Sequence, residues 1–353
     1  MAFVDRSETI PPFERSLQEL RYATGIAIPV YLPAGPSQAE SVALLRETII
    51  ACCEQVADPT AICLGVDGEE HGAAIARSLA AESGVQFVVS PVNRGKLQGV
   101  REGMHRLLAH PNLRYLAVLD CDNDHFANEL LNFVRAAEQI VDQTSDERLM
   151  ILGRRISRHR PMGLLRGELE DLADRLLLQA LTYHAALSGR PLRLEYTTLL
   201  DGVPDFHSGY KLFSRVTASD VFIPEPETAG LTETATYRHA VEAVMSVEAV
   251  LSGARLGVIN RSTFNRQPVT TFGLLNRAQL TADMILWPCK RLGIPGEFVQ
   301  QWMENEIGAL LLGTLVPEGR QELEGVYRAV MTGYDDGQPH SAVDPFAKQP
   351  LFL

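Results

Sequence analysis

The 353-residue sequence has no long hydrophobic run, and its first residues lack the apolar core of a signal peptide. Its most apolar late segment, residues 307–316, is about half the roughly 20 residues that a membrane-spanning helix needs. That segment fits a buried helix instead. We therefore expect a soluble protein without a transmembrane segment.

The five cysteines form no CxxC pair and no metal-ligand spacing, and their odd number leaves one unpaired in any disulfide scheme. Such usage is typical of a reducing compartment, so we expect a cytoplasmic protein. Positive charge is also scarce, with a formal net charge of −12. Because nucleic-acid binding depends on Lys and Arg at phosphates, no nucleic acid is expected as a partner.

What the sequence does contain is an ordinary globular composition, with 46% hydrophobic and 22% charged residues. From Gly25 onward, apolar runs alternate with segments of helical periodicity, which indicates βα units around a largely parallel sheet. A doubly wound α/β architecture is predicted. The predicted strands cover residues 26–31, 61–66, 85–89, 115–119 and 150–152, and the predicted helices cover 41–55, 72–82, 95–108, 128–141 and 164–187.

The two ends of the chain differ from this pattern. Residues 1–24 are polar, with Pro11-Pro12 ahead of a short amphipathic stretch, and predict an N-terminal arm. After Phe272 the sequence is helical in character to about Tyr334, with prolines that interrupt it. We predict an appended helical extension there, which would either cover the acceptor site or form a homodimer surface.

An acidic cluster, Asp120-Cys-Asp122-Asn-Asp124, comes directly after a predicted buried strand. In an extended chain, alternate residues point to one side, so the three carboxylates would converge. Their mutual repulsion favours a hard divalent cation, Mg²⁺ or Mn²⁺, whose other ligands are commonly water and substrate phosphates. The alternative is a solvated turn that caps the next helix.

Several motifs in chain order extend this reading: residues 28–31 (Ile-Pro-Val-Tyr), 93–96 (Asn-Arg-Gly-Lys), the acidic cluster, 153–155 (Gly-Arg-Arg) and 205–210 (Asp-Phe-His-Ser-Gly-Tyr). Together they resemble the GT-A glycosyltransferases of the family 2 type, and among these the polyprenyl-phosphate (dolichol-phosphate mannose synthase-like) sugar transferases. The resemblance implies a Rossmann-like, mostly parallel sheet flanked by helices. It divides the chain into an arm (1–24), a GT-A domain (25–272) and a helical C-terminal extension and tail (273–353).

The resemblance also implies roles for individual residues. Ligands of parallel sheets bind beyond the carboxyl ends of the strands, which independently favours Asp67 and Asp120. Asp67 and Asp205 also fit simple turns. The implied sets are as follows: donor binding by Pro29, Tyr31, Asp67, Arg94, Lys96, Asp120, Asp122, Arg155 and Arg266; metal binding by Asp120, Asp122 and Asp124; acceptor binding by Ser208 and Gly209; and proton abstraction by Asp205 or Glu248.

The sequence departs from the polyprenyl-phosphate pattern at Pro204, where those enzymes carry an arginine for the acceptor phosphate. We therefore expect a soluble acceptor, either a small molecule or a glycan, and a UDP or GDP sugar as donor. Two alternatives stay open: a retaining transferase of the mannosylglycerate synthase kind, and a non-catalytic sugar-nucleotide binding protein. A nucleotidyltransferase is disfavoured, because residues 32–36 lack the arginine of its signature loop.

Overall fold

The computed structural model describes residues 11–70, 72–197, 202–264, 276–308, 310 and 315–334. Its centre is a seven-stranded sheet in the order β3-β2-β1-β4-β6-β5-β7, in which only β6 runs antiparallel to its neighbours. The predicted mostly parallel α/β sheet is confirmed. The strands are β1 (Thr24–Val30), β2 (Ile62–Asp67), β3 (Gln86–Ser90), β4 (Tyr115–Val118), β5 (Leu149–Arg155), β6 (Lys211–Ser214) and β7 (Arg255–Arg261).

Helices cover the sheet, and α6 is kinked near its start at Gly163. A short π-helix, Ala235–His239, leads into α8. The α-helices are α1 (Pro12–Ala23), α2 (Gln38–Cys53), α3 (Ala73–Ser83), α4 (Lys96–Leu108), α5 (Leu130–Thr144), α6 (His159–Ser188), α7 (Arg215–Phe222), α8 (Val241–Leu251), α9 (Arg277–Arg291), α10 (Gly296–Ile307) and α11 (Gly319–Tyr334).

The direction of β6 gathers the functional candidates at one edge of the sheet. Val118, the last residue of β4, pairs with Lys211, the first residue of β6. The segment before Lys211 therefore arrives where β4 ends. Since β1, β2, β5 and β7 run parallel to β4, their last residues lie at the same edge. We call this edge, formed by the ends of those strands and the beginning of β6, the site edge.

The C-terminal helices pack against the rest of the protein. Helix α9 contacts α6, α8, α11 and the π-helix. Its Trp287 is fully buried and donates a hydrogen bond from Nε1 to the carbonyl of Glu227 at 3.0 Å. The predicted helical extension is thus present, although its boundary at residue 273 lies outside the described residues. Within the described ranges, no helix is long and apolar enough to cross a membrane.

Candidate functional site

Three charged side chains, linked by ion pairs, lie side by side at the site edge. Lys96, the first residue of α4, places Nζ 2.7 Å from Asp120 Oδ1 and 2.7 Å from Glu242 Oε1. Burial alone would lower the pKa of Lys96, but the two carboxylates outweigh burial and raise it. Lys96 therefore stays charged. Two residues predicted for the donor, Lys96 and Asp120, are brought together here.

Glu242 is the member of this group that sequence reasoning missed. It lies in the first turn of α8, where a carboxylate also interacts favourably with the helix dipole. Burial acts to raise the pKa of Glu242, but Lys96 and Lys211 lower it, so the carboxylate is charged. The signal available in the sequence was an acidic residue at a helix start following a long loop.

Glu248, the sequence candidate for the base, lies six residues farther along the same helix. At 3.6 residues per turn, that spacing rotates it to a different face. Its two oxygens accept hydrogen bonds of 2.7 and 3.0 Å from Arg291 on α9. Glu248 therefore links α8 to α9, and the structure does not bring it to the ion pairs of Lys96.

The three carboxylates of the acidic cluster are not grouped as a set of three metal ligands, which differs from the sequence expectation. Strand β4 ends at Val118, and a turn with Asn123 at a φ of 62° follows, so alternation does not persist. Asp124 is 6% exposed; its Oδ1 accepts the N–H of Phe264 at 2.7 Å, and its Oδ2 lies 3.4 Å from Arg261 Nη1. Among the described residues, no three His, Cys, Asp or Glu side chains form a metal-binding group.

Asp120 and Asp122 remain as the metal candidates. The side chain of Asp120 is 27% exposed, and Asp122 is half-buried. The backbone N–H of Asp120 donates to Nδ1 of His125 at 2.9 Å, and burial holds the pKa of His125 well below its usual value. His125 is therefore neutral, and its ring stacks on that of Tyr210 with centroids 4.8 Å apart. This buried ring holds the backbone of Asp120 in place.

The segment 205–210 packs directly on the acidic cluster. A Cβ added at Gly209 would lie 2.7 Å from Asp120 Oδ2 and 3.0 Å from His125 Cε1. Only a glycine allows this approach of the backbone. The position predicted for the acceptor, Gly209, therefore touches the residue predicted for metal and donor.

Asp205 has a different environment from the one that a base needs. It is fully buried, and it accepts hydrogen bonds from Arg155 Nε at 2.8 Å, Nη2 at 2.5 Å and the backbone N–H at 3.0 Å. Burial would raise the pKa of Asp205, but Arg155 and Arg158 hold it far below its usual value. This geometry favours a structural role for Asp205, which fixes the segment 205–210, over proton abstraction. Arg155, predicted to bind the donor, is likewise engaged in this internal ion pair.

Ser208 is likewise fully buried. Its Oγ accepts a hydrogen bond of 3.3 Å from Nε of Arg261, and its carbonyl accepts one from Nζ of Lys211. Lys211 also donates to the carbonyl of Phe206 at 2.9 Å, and burial lowers the pKa of Lys211 to about 8. The hydroxyl predicted to meet the acceptor is thus used within the protein.

On the donor side, Asp67 shapes the loop before α4. Its Oδ1 accepts the N–H of Arg94 at 2.9 Å and its Oδ2 accepts that of Gly95 at 2.5 Å. The guanidinium of Arg94 pairs with Glu225 and Glu233 and lies 4.0 Å from the ring centroid of Tyr237. Asp67 therefore positions Lys96 through the loop, and Arg94 is engaged by two acidic side chains.

The remaining donor candidates divide by exposure. Pro29 is buried within β1, whereas Tyr31, just beyond that strand, is 42% exposed at the site edge. Arg266 lies outside the described residues. Five of the predicted donor residues lie at or after the ends of neighbouring strands at this edge: Tyr31, Asp67, Lys96, Asp120 and Asp122.

Solved structures of similar shape include glucosyl-3-phosphoglycerate synthase from Mycobacterium tuberculosis, in complex with Mn²⁺, uridine-diphosphate-glucose and phosphoglyceric acid. It is 16% identical over 81% of this chain and 86% of that chain, with a TM-score of 0.50. A mycobacterial protein is 15% identical over 81% and 80% of the two chains, with a TM-score of 0.49. S. aureus TarS 1–349 is 11% identical over 88% and 90%, with a TM-score of 0.41.

Neither protein-family models nor curated proteins match the sequence. At 16% identity the likeness to the mycobacterial synthase concerns the fold. It agrees with the sheet described above, a mostly parallel seven-stranded sheet flanked by helices. The chain therefore has the GT-A fold that the sequence predicts.

Proposed function

We propose that this protein is a metal-dependent glycosyltransferase that moves a sugar from a nucleoside diphosphate sugar to the hydroxyl of a soluble acceptor. The observation that carries the proposal is the contact of Gly209 with Asp120, which is itself joined to Lys96 and Glu242. Donor and acceptor candidates from distant parts of the sequence meet at one point of the site edge. Ligands of open α/β sheets bind at the carboxyl ends of the strands, which is where these residues lie.

The residues present fit a divalent ion held by two carboxylates. Mg²⁺ and Mn²⁺ sites commonly use one or two carboxylates and take their other ligands from water and substrate phosphates, which Asp120 and Asp122 allow. The bound ion would supply positive charge that offsets the charge developing on the leaving diphosphate. We give Asp124 a structural role, because one of its oxygens accepts the N–H of Phe264 and the other pairs with Arg261.

The other residues bind and orient the donor. Lys96, charged and 30% exposed, provides a second positive group beside Asp120 for the diphosphate. The exposed ring of Tyr31 offers a surface for the nucleobase. Asp67 keeps the loop before α4 in the shape that presents Lys96.

UDP-glucose with Mn²⁺ is the first donor to test, and 3-phosphoglycerate is the first acceptor, because the similarly folded mycobacterial synthase was solved with these compounds. GDP-mannose is the second donor. The anomeric configuration of the product, read by NMR, decides between inversion and the retaining chemistry of mannosylglycerate synthases.

A thermal-shift screen tests the proposal. We expect UDP or GDP at 100 times its Kd to stabilise the fold by about 2.7 kcal/mol, and only when Mn²⁺ or Mg²⁺ is present. Asp122→Asn should remove the metal-dependent part. The matched control Asp142→Asn, at a 54% exposed side chain of α5, should leave it unchanged.

The outcomes separate the candidate functions. Metal-dependent binding with transfer or slow donor hydrolysis supports the transferase. Binding of nucleotide sugar without either reaction supports the non-catalytic binding protein. No stabilisation by any nucleotide, with or without metal, contradicts both.

A further inference from the structure

The described carboxylates that are candidates for proton abstraction are all engaged in ion pairs. Asp205 is bound by Arg155, Glu248 by Arg291 and Glu242 by Lys96. A general base needs a lone pair that an acceptor hydroxyl can reach. His239, three residues before Glu242, is a side chain that can offer such a lone pair.

His239, the last residue of the π-helix, forms a carboxylate–histidine pair with the C-terminal extension. Its Nδ1 lies 2.6 Å from Oδ2 of Asp283 on α9, and Oδ1 of Asp283 accepts a hydrogen bond of 2.8 Å from Gln279. A carboxylate can only accept, so the hydrogen resides on Nδ1 of His239. In the neutral ring, Nε2 then carries a lone pair.

Nε2 of His239 makes no hydrogen bond within the described part of the chain, and the side chain keeps 9% of its surface exposed. A second pair, His207 with Asp174 at 2.7 Å, gives the comparison. There Nε2 is buried without a partner. Of these two pairs, the His239 pair is the one that combines an oriented ring with a nitrogen that is not sealed inside the protein.

His239 also has the right location. It lies three residues before Glu242, across the break at Ala240 where the π-helix ends and α8 begins. A Cβ added at Gly95 would lie 2.3 Å from the carbonyl oxygen of Tyr237, so the π-helix packs directly on the residue before Lys96. Short π-helical turns are frequent at functional sites.

We propose that His239 is the general base of the transfer, held in its reactive tautomer by Asp283; the proposal rests on the glycosyltransferase function above. The acceptor hydroxyl gives its proton to Nε2 while its oxygen bonds to the anomeric carbon. The bond from that carbon to the diphosphate oxygen breaks, and its electron pair leaves with the nucleoside diphosphate. The imidazolium then returns its proton to water.

The C-terminal extension is thereby part of the reaction centre. Asp283 is a positioning residue, because it acts on the acceptor through His239. Trp287 and Arg291, one and two turns farther along α9, fasten the neighbouring Glu227 and Glu248. Helix α9 thus packs on both the π-helix that carries His239 and the helix α8 that carries Glu242.

A ¹⁵N NMR experiment on histidine-labelled protein tests the tautomer without any substrate. We expect the neutral ring of His239 to carry hydrogen on Nδ1 and none on Nε2, and Asp283→Asn to redistribute it toward Nε2. His239→Ala assigns the signal. A wild-type ring with hydrogen on Nε2 would overturn the proposal whatever the donor proves to be.

Kinetics with UDP-glucose, Mn²⁺ and 3-phosphoglycerate test the role itself. His239→Ala should lower kcat by about 10²–10⁴-fold, as loss of a general base does, while the affinity for UDP stays unchanged. Added imidazole should restore part of the rate, which a merely structural role would not allow. The control is His184→Ala, which removes a hydrogen bond to the carbonyl of Leu292. This variant should keep the wild-type rate with or without added imidazole.

Unchanged kcat in His239→Ala, or a loss that imidazole does not reverse, would overturn the assignment of the base. Failure of the wild-type protein to bind any nucleotide would instead contradict the proposed function. The two failures are therefore distinct.

Discussion

At the scale of single residues, Gly209 is the position where the acidic cluster and the segment 205–210 touch. Gly209→Ala would place a Cβ 2.7 Å from Asp120 Oδ2, and Lys96 holds that carboxylate in place. We expect at least a tenfold loss of metal-dependent UDP affinity, measured by calorimetry, with little change in Tm. Gly308→Ala, where a Cβ would meet nothing within 4 Å, is the matched control; equal losses in both variants would contradict this reading.

Glu170 on α6 provides a pH-dependent prediction. Burial would raise its pKa, but Arg155 and Arg166 lower it to about 2. Because the folded pKa is below the unfolded one, Glu170 stabilises the fold fully above about pH 4.5, and this contribution is lost as the pH falls toward 2. Glu170→Gln should cost about 3 kcal/mol at pH 7 in urea unfolding and less at pH 3.

Glu82→Gln is the control for Glu170, because Glu82 pairs with Arg46 at a half-exposed position. Its effect should stay below about 1 kcal/mol at both pH values. A deficit of Glu170→Gln that did not shrink on acidification would show that lost packing, rather than lost charge, destabilises the variant.

At the scale of elements, the pairing of α8 with α9 through Glu248 and Arg291 is separable from the site. Glu248→Gln and Arg291→Met should each lower stability modestly, with a coupling of about 1 kcal/mol in the double-mutant cycle. Neither should change UDP affinity or kcat, since the pair lies on another face of α8 from Glu242. A large fall in kcat for Glu248→Gln alone would restore Glu248 as the base.

The elements also explain how far the sequence could be read. Strand ends are local features, so Asp67 and Asp120 could be placed at one edge from hydrophobic periodicity alone. The pairing of Lys96 with Glu242, and of Asp205 with Arg155, depends on which strand neighbours which, and in particular on the antiparallel β6. The expected alternation of side-chain direction fails at Asp124, because strand β4 ends two residues before Asp120 and a turn begins.

At the scale of the whole molecule, the extensive contacts of α9 predict that the C-terminal helices unfold together with the sheet. Trp287 and Trp302 are the two tryptophans of the chain. Trp302→Phe leaves the buried Trp287 as the single fluorescent reporter. We expect its urea transition to coincide with that of far-UV circular dichroism. Two separate transitions would instead support an independent extension beyond residue 273.

The proposed reactive groups all lie at one edge of the sheet, so the opposite edge is the place to attach the protein to a surface. There β5 begins after the exposed Glu147 and β7 begins after a turn at Gly253. A peptide handle grafted beside Glu147 would tether the protein to a sensor surface with its reactive groups turned toward the solution. Immobilised in that single orientation, every molecule would present the same face to an injected library of sugars and acids.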